Sequence, residues 1–193
     1  MERVGIFGGT FDPPHRAHLA VAMTAVEQLQ LNRLLWIPAA LSPLKEDERP
    51  AEAPHRVAMT RMMVAQNPRF ELDTGEIDAG GISWTVNTLE RIRDEHPDWR
   101  LWLIIGQDQF EALPLWREPE RLRKLARLAV YRRETASSDQ DGSRPPDVWL
   151  PGIHMSLSST DIRRRLMRGE AMDEALLPEV SDYIHHHRLY LPG

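Results

Sequence analysis

The chain has no cysteine. That removes disulfides, thiolate catalysis and cysteine-based zinc sites, and it points to a reducing, cytoplasmic setting. Positive charge is also in short supply: 24 Lys+Arg against 29 Asp+Glu leave a net charge of −5. A protein devoted to the nucleic-acid backbone needs a large basic surface, so nucleic acid is not an expected partner. A small anion held by a few local cations remains open. Long apolar runs are missing as well. Stretches such as Leu101 to Ile105 are far too short to span a bilayer, and the opening Met-Glu-Arg-Val-Gly lacks the basic-then-apolar pattern of a signal peptide. No membrane partner is expected either. What is present is 41% hydrophobic and 27% charged residues over 193 positions, a composition able to bury one full core.

Short apolar runs alternate with helical patterns. Val4 to Phe7, Leu34 to Ile37, Leu101 to Ile105 and Leu128 to Tyr131 read as buried strands, with Phe70 to Leu72 as a short extended candidate. Leu19, Ala22, Met23, Val26 and Leu29 recur at helical spacing from about His15 to Leu29. Met59, Met62, Met63 and Val64 form a second such stripe, and Val86, Leu89, Ile92 and Arg93 a third. Strands apolar throughout, separated by helices, predict a parallel sheet covered on both faces, a doubly wound, Rossmann-like α/β domain. The whole chain, 1–193, is expected to be one domain, with a small helical subdomain from about residue 154. Two polar stretches, Ser42 to Pro54 with three prolines and Glu134 to Asp147, read as long loops, and the first is expected to act as a lid. In such folds ligands gather outside the carboxyl ends of the strands, where strand order reverses. The loops after Phe7, Ile37, Ile105 and Tyr131 are therefore the places to search.

Gly8-Gly9-Thr10-Phe11-Asp12-Pro13-Pro14-His15-Arg16-Ala17-His18 lies between the first strand and the first helix. It is neither a P-loop nor the dinucleotide fingerprint. Its parts nevertheless suit a phosphate. Glycines let the backbone approach an anion, a helix N-terminus offers free N–H groups, and two histidines three residues apart share one face. A pair of metal ligands is the competing reading, but a structural zinc site would need cysteines or a third ligand nearby. Leu157-Ser158-Ser159-Thr160-Asp161-Ile162-Arg163 is a second anion-binding design: a capped helix start with a cation one turn in. A plain N-cap beside a solvated arginine cluster is its bland alternative.

The first segment resembles the signature of nucleotidyltransferases with the His-x-Gly-His type motif, with Ala17 where the family usually has Gly. The second is similar to the Ile-Ser-Ser-Thr-x-Ile-Arg segment of the same superfamily. Gly81 to Leu89 (Gly-Ile-Ser-Trp-Thr-Val-Asn-Thr-Leu), Gly106-Gln107-Asp108 and Trp116 narrow the likeness to nicotinate-nucleotide adenylyltransferases, over nearly the whole chain. Trp84 replaces the usual Tyr. Ser42-Pro43-Leu44-Lys45 keeps the Lys, but not the His, of a common Pro-Pro-His-Lys.

The resemblance implies adenylyl transfer from ATP to nicotinate mononucleotide, giving nicotinate adenine dinucleotide and pyrophosphate. The attack would be in line, with no covalent intermediate, and magnesium would arrive with the ATP phosphates rather than in a protein cage. By resemblance His15, His18, Lys45 and Arg163 are the catalytic cations and donors. Gly8, Gly9, Thr10, Phe11, Gly106, Asp108, Ser159 and Thr160 would contact ATP. Lys45, Ser83, Trp84, Thr85, Trp116 and Arg133 would contact the nicotinate nucleotide, with Arg132 able to replace Arg133. Asp108 also fits as the cap of a helix beginning near Gln109. His154 and the run His185 to His187 have no clear role, and the run reads as a solvated helix end. A homodimer is compatible with these readings. Phosphopantetheine or nicotinamide-mononucleotide adenylyltransferases, or a weakly catalytic nucleotide-binding regulator, are the alternatives.

Overall fold

The structure is a computed structural model that describes residues 1–41, 50–132, 145–152 and 157–191. Six strands form one sheet: β1 (Arg3–Gly9), β2 (Arg33–Pro38), β3 (Phe70–Leu72), β4 (Arg100–Gly106), β5 (Arg127–Tyr131) and β6 (Val148–Leu150). All pairings are parallel and the order is β3-β2-β1-β4-β5-β6, so the winding reverses between β1 and β4. The expected doubly wound α/β architecture is what the chain adopts.

Strand geometry sends alternate side chains to opposite faces. On one face Phe7, Leu34, Trp36, Trp102, Ile104 and Ala129 meet the apolar stripes of four helices. These are α1 (Arg16–Gln28), α2 (Ala53–Val64), α7 (Ser159–Leu166) and α8 (Pro178–His186). On the other face Val4, Ile6, Leu35, Ile37, Leu101, Leu103, Ile105, Leu128 and Val130 are covered by α4 (Thr85–Glu95), α5 (Gln107–Glu111) and α6 (Pro119–Leu125). A short helix, α3 (Gly75–Ala79), leads from β3 toward α4. Ile162 and Leu166 of α7, and Val180 and Ile184 of α8, belong to the same buried cluster as α1 and the sheet. No helix among the described residues is long and apolar enough to cross a membrane.

Several boundaries differ from the sequence reading. α2 starts inside the stretch read as loop, with Pro54 in its first turn, where a missing N–H costs nothing. α5 is capped by Gly106 rather than Asp108, which lies inside the first turn. The strand β6 and helices α3 and α6 carry too few apolar residues to announce themselves. Lys45, Arg133, His154 and most of both long loops lie outside the described residues, including the expected lid over residues 42–49.

Buried Arg56, 2% exposed on α2, ties the loops of β1 and β2 together. Its guanidinium donates to the carbonyls of Ala51 (3.0 Å), Thr10 (2.9 Å), Ala39 (2.7 Å) and Ala40 (3.2 Å). The bond to Ala39 is itself buried, where an unmet carbonyl would be costly. One side chain thus fixes the two loops that leave the sheet on either side of the first helix.

Candidate active site

A cavity of about 630 Å³ opens at the carboxyl ends of β1 and β4, at the reversal of winding. Gly8 lies on its wall, and a Cβ built there would meet nothing closer than the Ile37 carbonyl, at 3.9 Å. The missing side chain is therefore not required by packing, and its absence lets a ligand approach the backbone. Gly106, across the cavity, has no such room: its Cβ would lie 2.9 Å from the Tyr131 hydroxyl.

At one end the first turns of α1 and α7 converge. Phe11 takes φ of 51°, turning the chain after β1, and its ring packs edge-on to Phe7 at 5.6 Å and to His18 at 5.2 Å. His15 and His18 lie against each other with ring centroids 3.8 Å apart. The His15 backbone N–H donates to His18 Nδ1 at 3.2 Å. A neutral imidazole that accepts at Nδ1 carries its proton on Nε2, so His18 presents a donor there. His15 Nδ1 is buried and has no hydrogen-bond partner among the described residues.

Burial lowers the His15 pKa from 6.5 to about 4. Burial, and then the neighbouring His15, hold His18 well below its ordinary value. Around neutral pH both imidazoles are therefore uncharged and act as hydrogen-bond donors or acceptors. The depression carries a stability consequence. Well above pH 6.5 neither folded nor unfolded His15 is charged. As pH falls from there toward about 4, the unfolded chain takes up a proton that the folded chain refuses, so stability is lost. Between pH 7 and pH 5 the His15 contribution amounts to about 2 kcal/mol, with His18 acting in the same direction. Urea unfolding at the two pH values should show this loss, and His15→Gln should flatten it. An identical pH dependence in the variant would mean that His15 is not held neutral by the fold.

Arg163 comes from the second turn of α7. It donates to the Asp12 carbonyl at 2.8 Å and stands 3.5 Å from Asp12 Oδ2. Ser158 caps α7 as expected, its Oγ accepting from the Asp161 N–H at 3.1 Å. The Ser159 hydroxyl donates to the Pro13 carbonyl at 2.9 Å, locking the start of α7 to the loop after β1. Thr160 is exposed beside Arg163, at 3.5 Å. Thr10, Phe11, Ala17, Gly106 and Asp108 also line the cavity.

The other end is built from the start of α4. Ser83, expected to contact the nicotinate nucleotide, has its backbone N–H and its hydroxyl engaged within the protein. Its N–H donates to the Leu41 carbonyl at 2.9 Å, and its Oγ accepts from the Ala40 N–H at 2.9 Å. The N–H groups of Trp84, Thr85 and Val86 form the open first turn, without backbone partners inside the helix. Trp84 lies under Arg117 at 5.4 Å. Trp116 follows the 3-10 turn Leu113–Leu115, lines the cavity and packs on the core, and its buried indole N–H has no hydrogen-bond partner among the described residues. Arg132, exposed at the end of β5, lies over Trp149 at 4.6 Å and also lines the cavity.

Four residues here were missed by sequence reasoning. Asp12 is 3% exposed, and Arg56 stands behind the loops. Tyr190 donates its hydroxyl to Asp12 Oδ1. Glu76 of α3 lines the cavity, accepts from the Thr88 hydroxyl at 2.5 Å, and hydrogen-bonds to Ser83. Burial raises the Glu76 pKa, against the two hydroxyls. Asp12 stands within the first quoted motif, and Arg56 repeats with Met59, Thr60 and Met63 at helical spacing on the buried face of α2. His185 and His186 end α8 on the exposed surface, as read, while His187 lies 5.0 Å from the His55 ring. Among the described residues no group of three or more His, Asp or Glu could hold a metal ion.

The model of the cytidylyltransferase-like family matches residues 6–165. A protein of Roseiflexus sp., named probable nicotinate-nucleotide adenylyltransferase, is 40% identical over 194 residues, covering 97% of both chains. One of Salinibacter ruber with the same name is 38% identical over 192 residues, covering 98% of both. The solved structure of Plasmodium falciparum nicotinic acid mononucleotide adenylyltransferase complexed with NaAD superposes with a TM-score of 0.81 over 98% of both chains, at 18% identity. That likeness is one of fold. Kinship rests on the sequence matches, which run through both anion-binding segments and the start of α4. The chain belongs to the cytidylyltransferase-like family and, within it, to the nicotinate-nucleotide adenylyltransferases.

Proposed function

We propose that this chain transfers the adenylyl group of ATP to the phosphate of nicotinate mononucleotide, forming nicotinate adenine dinucleotide and releasing pyrophosphate. One observation carries the reading: a single cleft at the β1/β4 reversal has anion-directed donors at both ends. The α1 and α7 turns with His18 and Arg163 suit a triphosphate. The open turn of α4 beside Trp116 suits a flat ring bearing a carboxylate.

The acceptor phosphate attacks the α-phosphorus in line, and pyrophosphate leaves. No side chain is needed as a nucleophile. Catalysis is positioning plus stabilisation of the charge that builds on the transferring phosphoryl oxygens. His18 offers Nε2–H to those oxygens, and His15 lines the cavity beside it. Gly8 and Gly9 let the chain pass close to the nucleotide, with Thr10 and Phe11 shaping the turn. Arg163, supported by Ser159 and Thr160, takes the β and γ phosphates. Asp108, at the end of β4, accepts from the ribose hydroxyls beside Gly106. Lys45 and Arg133 are assigned to the nucleotide phosphates by family likeness. Thr85 joins the α4 N–H groups at the carboxylate, while Ser83 acts by fixing the turn. Magnesium enters bound to ATP as part of the substrate and shields its phosphates. The chain works as one cytoplasmic catalytic domain, with the helices beyond about residue 154 completing its phosphate end.

Incubating the protein with Mg-ATP and nicotinate mononucleotide should give nicotinate adenine dinucleotide and pyrophosphate in equal amounts. Pyrophosphate release that requires phosphopantetheine instead would replace this reading with the alternative acceptor. ATP hydrolysis to AMP without dinucleotide would also refute it.

A further inference from the structure

Asp12 sits where three distant parts of the chain meet. Its carboxylate is 3% exposed. Oδ1 accepts from the Ala51 N–H at 3.0 Å, just before α2, and from the Tyr190 hydroxyl, beyond α8. Oδ2 stands 3.5 Å from the Arg163 guanidinium, an ion pair without close hydrogen-bond contact. Arg163 meanwhile donates to the backbone carbonyl of the same residue at 2.8 Å. The two donors on Oδ1 do more than fill its lone pairs. They fix the rotation of the carboxylate and disperse its negative charge, so that Asp12 orients Arg163 without gripping it. A buried carboxylate stripped of one donor is a stronger partner for the nearest cation. It would turn onto Arg163 and compete with any incoming anion.

We propose that Tyr190 is a positioning residue for the triphosphate end of the site, acting through Asp12 to keep Arg163 available to the nucleotide. The proposal rests on the reading of Arg163 as a triphosphate contact. Tyr190 is not among the residues that line the cavity. Its ring packs against the helix-side core, and only its hydroxyl reaches the network. The phenol is held protonated by burial and by Asp12, which suits a permanent donor.

Tyr190→Phe removes the hydroxyl and keeps the ring. Binding of α,β-methylene ATP with magnesium, measured by calorimetry without acceptor, should weaken about fivefold or more, the scale of a hydrogen bond to a charged group. The KM for nicotinate mononucleotide should stay within about twofold. In an Asp12→Asn background the carboxylate is gone, and Tyr190→Phe should then change analogue binding by less than about twofold. Unchanged analogue affinity in Tyr190→Phe overturns the proposal, as does a parallel loss toward both substrates, which marks a merely structural role. An equal loss in the Asp12→Asn background also overturns it. If that double variant does not fold, the contrast between the two substrates in Tyr190→Phe decides alone. A wild type that binds no analogue refutes the Arg163 reading, and this proposal with it, whatever the acceptor.

Discussion

His18→Ala should lower kcat/KM by about 100-fold or more, the scale of losing one donor aimed at transition-state charge. The magnitude follows from how the imidazole is held. His18 Nδ1 is taken by the His15 backbone N–H, and the ring is fixed between His15 and Phe11. Nε2–H is thus a preorganised neutral donor that need not reorient as charge builds on the phosphoryl oxygens. Because the ring is uncharged before ATP arrives, its gain is concentrated in the transition state rather than in ground-state attraction. The loss should therefore fall mainly on kcat, with the KM for ATP moving less. His18→Asn, which keeps a short donor, should fall between wild type and alanine. Full turnover by His18→Ala at saturating ATP would remove His18 from the reaction. A rise in KM alone would reassign it to ground-state binding.

Much of this site could be read from the order of residues, because the information is local. A strand such as Leu101 to Ile105 is apolar at every position since both its faces are covered, and that alone indicates a parallel sheet. Gly8-Gly9 followed by His15 and His18 places glycine, helix start and imidazoles within one loop. Charge states were not legible. Spacing says nothing of protonation, and it is burial that keeps both imidazoles neutral, the His18 ring lying against Phe7 and Phe11. Contacts across the chain were equally hidden. Tyr190 reaches Asp12 over 178 residues, and Ser159 reaches Pro13 over 146, with no periodicity to announce either. The Ser83 N–H is taken by the Leu41 carbonyl, a bridge that depends on how two loops meet. Arg56 shows the intermediate case. Its spacing with Met59 and Met63 marks it as buried, yet a long arginine at the edge of a charged loop reads as solvated until its four carbonyl partners are seen.

The second large effect concerns the choice between acid and amide. Nicotinate and nicotinamide rings have nearly the same shape, so a pocket separates them by hydrogen-bond polarity. The first turn of α4 offers N–H groups at Trp84 and Thr85, which line the cavity. A carboxylate gains charge-assisted bonds from such donors, whereas an amide must turn its NH₂ toward one of them and leave it unpaired. The mismatch costs on the order of 1.5–3 kcal/mol, the scale of a hydrogen bond to a charged group, or about a tenfold preference for the acid at the least. Glu76 does not undo this, because its carboxylate is engaged by the hydroxyls of Ser83 and Thr88. Trp116→Ala should raise the KM for the acid mononucleotide by about tenfold, the scale of a lost stacking platform, with ATP little affected. Unchanged constants in that variant would take Trp116 out of the site while leaving the reaction assigned. The decisive measurement is wild-type kcat/KM for nicotinate mononucleotide and for its amide, at saturating Mg-ATP. A ratio of about ten or more in favour of the acid is the expected result, and equal or better use of the amide would contradict the assignment to nicotinate.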